Sequence, residues 1–251
     1  MLELNKIYNM DCIEGMKLIP DWSIDLVCVD PPYWISYWNN ERDKIYDFSY
    51  FTNQRVEQCF RVLRIWWSFY WFMARTNVCD FKSILDKYWT IKNWITWERN
   101  KWRWSSKNYK SIKEEILYYV KWKWETWNEQ KMLKQHVVPY MLDWKPRWRF
   151  TNEEWIRCRR TWIWNVRHYT QPFFKMQENT EHPTQKPELM IERIILTSSN
   201  EWDTILDPFM WSWTTAVACI NTNRNFIWFE LDKWYREIAN NRIMQVQVGL
   251  F

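Results

Sequence analysis

Glycine is almost missing from this chain of 251 residues: only Gly15 and Gly249 are present, where an average composition would place about 18. So poor a supply leaves no dedicated residue for turns that need φ > 0, or for places where backbone must approach a ligand closely. Long apolar runs are missing too. No stretch of about 18 apolar residues occurs and the N-terminus lacks an apolar run, which argues against a transmembrane span or a signal peptide and for a cytoplasmic protein. The third absence is paired cysteine spacing. Cys12, Cys28, Cys59, Cys79, Cys158 and Cys219 are scattered, which argues against a disulfide framework or a metal site and for reduced core thiols.

What is present in excess is tryptophan, with 24 residues. Many stand where glycine is expected: Trp34 after a Pro-Pro-Tyr turn, the doublet Trp66-Trp67 between a helix and a strand, Trp102 and Trp104 alternating with basic residues, and Trp211 and Trp213 in the run Asp207-Pro-Phe-Met-Trp-Ser-Trp-Thr-Thr215. The chain reads as a natural-like sequence whose glycine positions are filled by tryptophan. The alternative is a natively Trp-rich chain that uses indoles for packing and stacking, but its turns with φ > 0 would then have no suitable residue. Trp94 and Trp97 do look native, since Ile91 to Trp97 alternates like a half-buried strand.

The length fits one α/β domain with an insertion, or two small domains. The net charge of +5 is unevenly spread: residues 98–170 hold 17 Lys or Arg against 8 Asp or Glu, so this middle segment is net +9 and the remainder net −4. Its clusters include Lys101, Arg103 and Lys107, then Arg147 and Arg149, then Arg157, Arg159 and Arg160, with aromatic residues between them. Such a segment suits phosphates along a duplex, and equally a basic solvated surface.

Strands and helices alternate at both ends. Residues 24–29 form an apolar strand ending at Asp30, 51–62 a helix, and 68–72 a second strand. Later, Pro187 opens a helix with Met190, Ile191, Ile194 and Ile195 on one stripe. A strand then ends at Asp207, a helix spans 214–221, a strand ends at Glu230, and Asp232 caps a last helix. This pattern predicts a parallel sheet in two pieces. In such sheets ligands lie outside the carboxyl ends of the strands, so Asp30, Asp207 and Glu230 are expected to converge on one crevice. An isolated carboxylate there is more often only a helix cap. Three beside Pro-rich turns favour a site.

Together these motifs carry a resemblance. Asn9-Met10-Asp11-Cys12, Asp30-Pro31-Pro32-Tyr33, His182-Pro183-Thr184-Gln185-Lys186-Pro187, Asp207 to Thr215 and Phe226 to Asp232, in this order, resemble the β group of DNA amino-methyltransferases, the site-specific adenine-N6 type of restriction-modification systems. The resemblance implies a Rossmann-like S-adenosylmethionine-dependent methyltransferase fold with circularly permuted motif order and a basic target-recognition insertion. It divides the chain into a catalytic half (1–97), a target recognition segment (98–170) and an S-adenosylmethionine-binding half (171–251).

By the same resemblance, Asp30 and the Pro31 carbonyl accept the hydrogens of the target amine, followed by Pro32 and by Tyr33, which stacks on a flipped base. Asp11 and Cys12 lie at the adenine edge of the cofactor and Glu230 at its ribose. Asp30, Asp207, Phe209, Ser212 and Thr214 bound its methionine end, with Thr184 and Lys186 opposite. The residues expected on DNA are Lys101, Arg103, Lys107, Arg147, Arg149 and Arg159. The partners implied are double-stranded DNA, a cognate restriction endonuclease and a second copy of the chain. Cytosine-N4 methylation and a catalytically dead DNA-binding variant are the alternatives. The departures are Trp34, Trp211, Trp213 and Trp228, each where the family carries glycine. They predict a chain that binds S-adenosylmethionine poorly or fails to fold.

Overall fold

Six successive residues with no charge except Asp25 make a strand covered on both faces, and Ile24–Val29 is buried throughout. In the computed structural model, which describes residues 2–32, 48–74, 77–99, 113–122, 125–128, 134–135, 140–142, 145–147, 158–159, 166–169, 186–209 and 214–247, this strand lies at the middle of an eight-stranded sheet.

In chain order the elements are β1 (Lys6–Tyr8), α1 (Cys12–Lys17), β2 (Ile24–Val29), α2 (Phe48–Val62), β3 (Leu63–Ala74), α3 (Val78–Leu85), β4 (Thr90–Arg99) and β5 (Lys113–Val120). Short strands follow: β6 (Lys134–Gln135), β7 (Tyr140–Leu142), β8 (Lys145–Arg147), β9 (Cys158–Arg159) and β10 (Val166–Tyr169). The chain then forms α4 (Glu188–Ser198), β11 (Thr204–Asp207), α5 (Thr214–Asn221), β12 (Asn225–Phe229) and α6 (Lys233–Gln247). The sheet order is β1-β12-β11-β2-β3-β5-β4-β10. Every neighbouring pair is parallel except those made by β5, which runs against β3 and β4. Chain order reverses between β11 and β2, so the sheet has its switch point there.

Side-chain alternation divides the core in two. Leu26, Cys28, Ile205, Phe226 and Trp228 face α4, α5 and α6. Val27, Val29, Leu206, Ile227 and Phe229 face α1, α2 and α3. On the second face Gly15 is needed for close approach, because a Cβ there would stand 2.0 Å from the Phe229 ring. No helix among the described residues is long and apolar enough to cross a membrane.

Two sequence expectations change. The Trp66-Trp67 doublet, expected between a helix and a strand, lies inside β3, which begins at Leu63 rather than at 68. Ile24 pairs with Leu63 but Leu26 pairs with Ser68, so the doublet sits in a register irregularity that bulges from the ladder. The boundary at 98 also falls inside the sheet. β4 continues to Arg99, β5 is buried between β3 and β4, and β10 adds an edge strand. Backbone pairing with β3 and β4 recruits β5 to the sheet whatever the mean charge of its segment. Among the described residues of the basic segment, the short ladders β6–β9 and β7–β8 lie apart from this sheet.

Among the described residues four non-glycine residues adopt left-handed backbone, and two are tryptophans: Trp22 at φ 58° and Trp202 at φ 69°. Neither stood out in the sequence. A bulky residue there is strained by roughly 1–2 kcal/mol. Trp202 is 71% exposed, so its ring contributes little packing. Trp202→Gly should raise stability by about 0.5–1 kcal/mol after allowing for glycine's greater freedom when unfolded; urea unfolding checks it, and an unchanged or lowered midpoint counts against the strain.

Candidate active site at the sheet switch point

The carboxyl ends of β2 and β11 bring Asp30 and Asp207 to the switch point, as their strand-end positions predict. Beside Asp30 stands Lys186, which is 4% exposed and immediately precedes the α4 N-cap, Pro187. Its ammonium lies 2.7 Å from Asp30 Oδ2 and 3.6 Å from Glu114 Oε2. A buried ammonium needs such partners, because desolvation alone would disfavour its charge. The Thr214 hydroxyl donates to the Lys186 carbonyl at 3.2 Å, so the first residue of α5 fastens the backbone that carries this lysine.

Asp207 is used differently. Its Oδ1 accepts from the Phe209 N–H at 3.0 Å and its Oδ2 from the Thr215 hydroxyl at 2.9 Å, which folds the turn after β11 back onto the strand. Burial pushes its carboxyl well above the usual carboxylate range; those two bonds and Lys186 oppose the shift, and the charge of Asp30 adds to it. The folded chain therefore holds a proton that the unfolded chain releases above about pH 4. Stability from this group is complete below that pH and is lost as pH rises through the folded value. Asparagine can accept from Phe209 N–H and donate to Thr215. Asp207→Asn should thus melt higher than the parent at neutral pH, with the difference vanishing near pH 3; an equal or lower melting temperature at pH 7 would contradict the upward shift of this carboxyl.

A second group of carboxylates lies at the ends of β1 and β12. Glu230 follows β12, its N–H bonds the Tyr8 carbonyl at 3.0 Å, and its Oε1 accepts from the Asp232 N–H at 2.6 Å. Asn9 holds the carbonyls of Glu230 and Leu231 at 2.8 and 2.9 Å, locking the two strand ends together. Asp11 caps α1 through the Ile13 N–H at 2.8 Å and meets Arg55 Nη2 at 3.3 Å. Cys12, the first residue of α1, is buried, and burial pushes its thiol up to about 12, so it is no nucleophile.

The fit of these residues to S-adenosylmethionine rests on donor chemistry. That group presents a ribose diol, an adenine amine and an ammonium to acceptors, with apolar faces between. Asp11 and Glu230 at adjoining strand ends offer acceptors, Asp207 fastens the start of the turn after β11 through the Phe209 N–H, and Phe209 and Phe51, with ring centroids 6.0 Å apart, offer an apolar wall. Trp228 behaves otherwise than its sequence position suggests. Its ring is fully buried in the core facing α5 and α6, stacked 4.3 Å from Phe226, rather than standing over the crevice. Its backbone is ordinary strand, so the cost is packing and an indole N–H without an acceptor among the described residues.

Pro31 is buried and Pro32 half-buried beside Asp30. Tyr33, Trp34, Thr184, Trp211, Ser212 and Trp213 lie outside the described residues, as do Lys101, Arg103, Lys107 and Arg149; Arg147 and Arg159 are placed only as backbone of β8 and β9. Sequence reasoning missed Glu114 and Arg55. Glu114 is the second residue of β5, beside Glu115, and both are buried although charged doublets usually face solvent. Arg55 stands one helical turn after Phe51, a spacing visible in the sequence but tied to no motif. Among the described residues no group of His, Cys, Asp and Glu is arranged to hold a metal ion.

Comparison with known proteins places this geometry. Residues 24–241 match the N6/N4 family described as DNA methylase. The type II methyltransferase M1.MboII of Moraxella bovis is 30% identical, over 99% of this chain and 100% of its own length. The DNA adenine methyltransferase YhdJ of Escherichia coli is 31% identical, over 96% of this chain and 83% of its own. Among solved structures, M1.HpyAVI in complex with SAM superposes with a TM-score of 0.62 at 26% identity, over 94% of this chain and 98% of that one. Because that family match spans most of the chain, the chain belongs to the N6/N4 DNA methylase family.

Proposed function

We propose that this chain transfers a methyl group from S-adenosylmethionine to the exocyclic N6 of an adenine flipped out of duplex DNA, with Asp30 as the residue that receives the amine. The observation that carries the reading is the buried Asp30–Lys186 contact at the switch point. An exocyclic amine is a poor nucleophile because its lone pair is delocalised into the ring. A carboxylate and a main-chain carbonyl that accept its two hydrogens favour the pyramidal nitrogen of the transition state. Asp30 and the Pro31 carbonyl take these parts, and Tyr33 stacks on the base, which must leave the duplex for chemistry to reach it. When bound, S-adenosylmethionine supplies an electrophilic sulfonium methyl. Asp11 is assigned to the adenine edge of that cofactor, Glu230 to its ribose, and Phe209 with the turn after Asp207 to the methionine end. Lys186 is assigned to Asp30 on the distance above, and its chain neighbour Thr184 to the cofactor.

Aspartate rather than serine before Pro-Pro-Tyr favours adenine over cytosine N4, and the likeness to an adenine methyltransferase points the same way. The basic segment 98–170, with Lys101, Arg103, Lys107, Arg147, Arg149 and Arg159, is assigned to the duplex. A second copy of the chain and a cognate restriction endonuclease complete the proposed partners. We assign reduced cofactor affinity to Trp211 and Trp213, which stand in the turn where backbone must approach the ligand.

The test is a transfer assay with methyl-labelled S-adenosylmethionine and duplex DNA of mixed sequence, beside RNA of the same sequence. Label on the duplex, with binding that weakens steeply as salt rises, is expected. Label on RNA alone would refute the assignment. Salt-dependent binding without transfer in any glycine-restored form would favour the dead DNA-binding reading.

A further inference from the structure

Arg55 ties together two parts of the cofactor crevice that the chain supplies from distant positions. It projects from α2 and is 8% exposed. One face of its guanidinium lies 3.4 Å from the centre of the Phe51 ring, and Phe209 lies 5.8 Å away. Its Nη2 meets Asp11 Oδ2 at 3.3 Å and its Nη1 donates to the Phe51 carbonyl at 3.2 Å. The Nε–H is buried and has no acceptor among the described residues. Asp11 follows β1 and Phe209 follows β11, with β12 between those strands in the sheet. One side chain from the catalytic half thus reaches residues at both of these strand ends.

This use of arginine is specific. A planar fork can hold a carboxylate at its edge while its face stacks on rings, which an ammonium cannot reproduce. The Asp11 carboxylate is thereby fixed from two directions, by the Ile13 N–H on Oδ1 and by Arg55 on Oδ2.

We propose that Arg55 is a positioning residue of the donor pocket: it orients Asp11 toward the adenine amine of the methyl donor and seats the Phe209 ring, so that adenine is distinguished from other purines. The proposal rests on the reading of Asp11 as acceptor for that amine.

The test compares two ligands that differ at one edge, S-adenosylhomocysteine and S-inosylhomocysteine, whose hypoxanthine carries an oxygen where adenine carries the amine. Ligand-observed NMR titration of the full chain up to millimolar concentration gives both affinities without methyl transfer. The parent should prefer the adenosyl ligand by about tenfold or more, the order expected when one hydrogen bond to a charged group is lost. In Arg55→Leu the preference should fall to within about threefold, as in Asp11→Asn, and combining the two should add little because both act through one contact. Arg55→Lys, which keeps the charge but not the fork, should fall between and covers the case in which the leucine variant does not fold. A full preference in either folded Arg55 variant overturns the proposal. A parent chain with no preference refutes the Asp11 reading beneath it, a separate failure.

Discussion

Asp30→Ala loses methyl transfer by about 10²–10³-fold or more, the scale set by removing one preorganised group that stabilises a transition state. The loss should fall on turnover, because the cofactor is assigned to Asp11, Glu230 and the turn after Asp207. Asp30→Asn is the cleaner variant: it keeps the volume and one acceptor oxygen while removing the charge, and it spares Lys186 a vacant neighbour. Glu114, 3.6 Å from the same ammonium, remains in both. Single-turnover transfer and calorimetric cofactor binding separate the two effects. Turnover preserved within threefold in the alanine variant would remove Asp30 from the chemistry.

Replacing Trp211 and Trp213 together by glycine should raise the affinity for S-adenosylmethionine by at least about tenfold, the outcome required by the proposal that these indoles lower cofactor affinity. The turn in question joins Asp207 to Thr214, the first residue of α5. Trp228→Gly should act in the opposite sense. Its ring fills the core beneath α5 and α6, and deleting it opens a cavity that costs about 3–5 kcal/mol. Calorimetric titration of the double variant and the single variant decides between them. Equal affinity in the parent and the double variant would mean the two rings lie clear of the cofactor.

The parts of the fold legible in the sequence were those fixed by local pattern. Residues 24–29 read as a doubly covered strand because nearly every residue is apolar, and α5 was placed at its observed limits, between a Pro-containing turn and an Asn. The apolar stripe of α4 and the Asp232 cap of α6 were likewise visible; the Asp232 carboxylate accepts from Trp234 N–H at 2.9 Å. Features set by distant partners were hidden. The first half of β3 is strand only because β2 pairs across a bulge, and its aromatic doublet resembles an interrupted turn. β5 begins Lys-Glu-Glu, which reads as surface. Its burial comes from β3 and β4 on either side, and Glu115 is satisfied there by Trp94 Nε1 and the Thr96 hydroxyl, each at 2.8 Å.

The same division holds at the site. Asp30, Asp207 and Glu230 are read from strand-end positions, and the structure places them at the ends of β2, β11 and β12. Glu114 became part of the site only through Lys186, 72 positions away in the chain, and Arg55 only through Asp11 and Phe209. Trp228 was misassigned because a strand position tells which faces alternate but not which of them meets the ligand. Its partner Phe226, two residues earlier on the same face, stacks against it in the core.

Identification of the modified base tests the central claim most directly. Duplex DNA incubated with S-adenosylmethionine and this chain, in parent and glycine-restored forms, is digested to nucleosides and analysed by mass spectrometry. N6-methyladenine, abolished by Asp30→Ala, is the expected product. N4-methylcytosine in its place, or unmodified DNA from a folded, cofactor-binding glycine-restored form, would contradict the account.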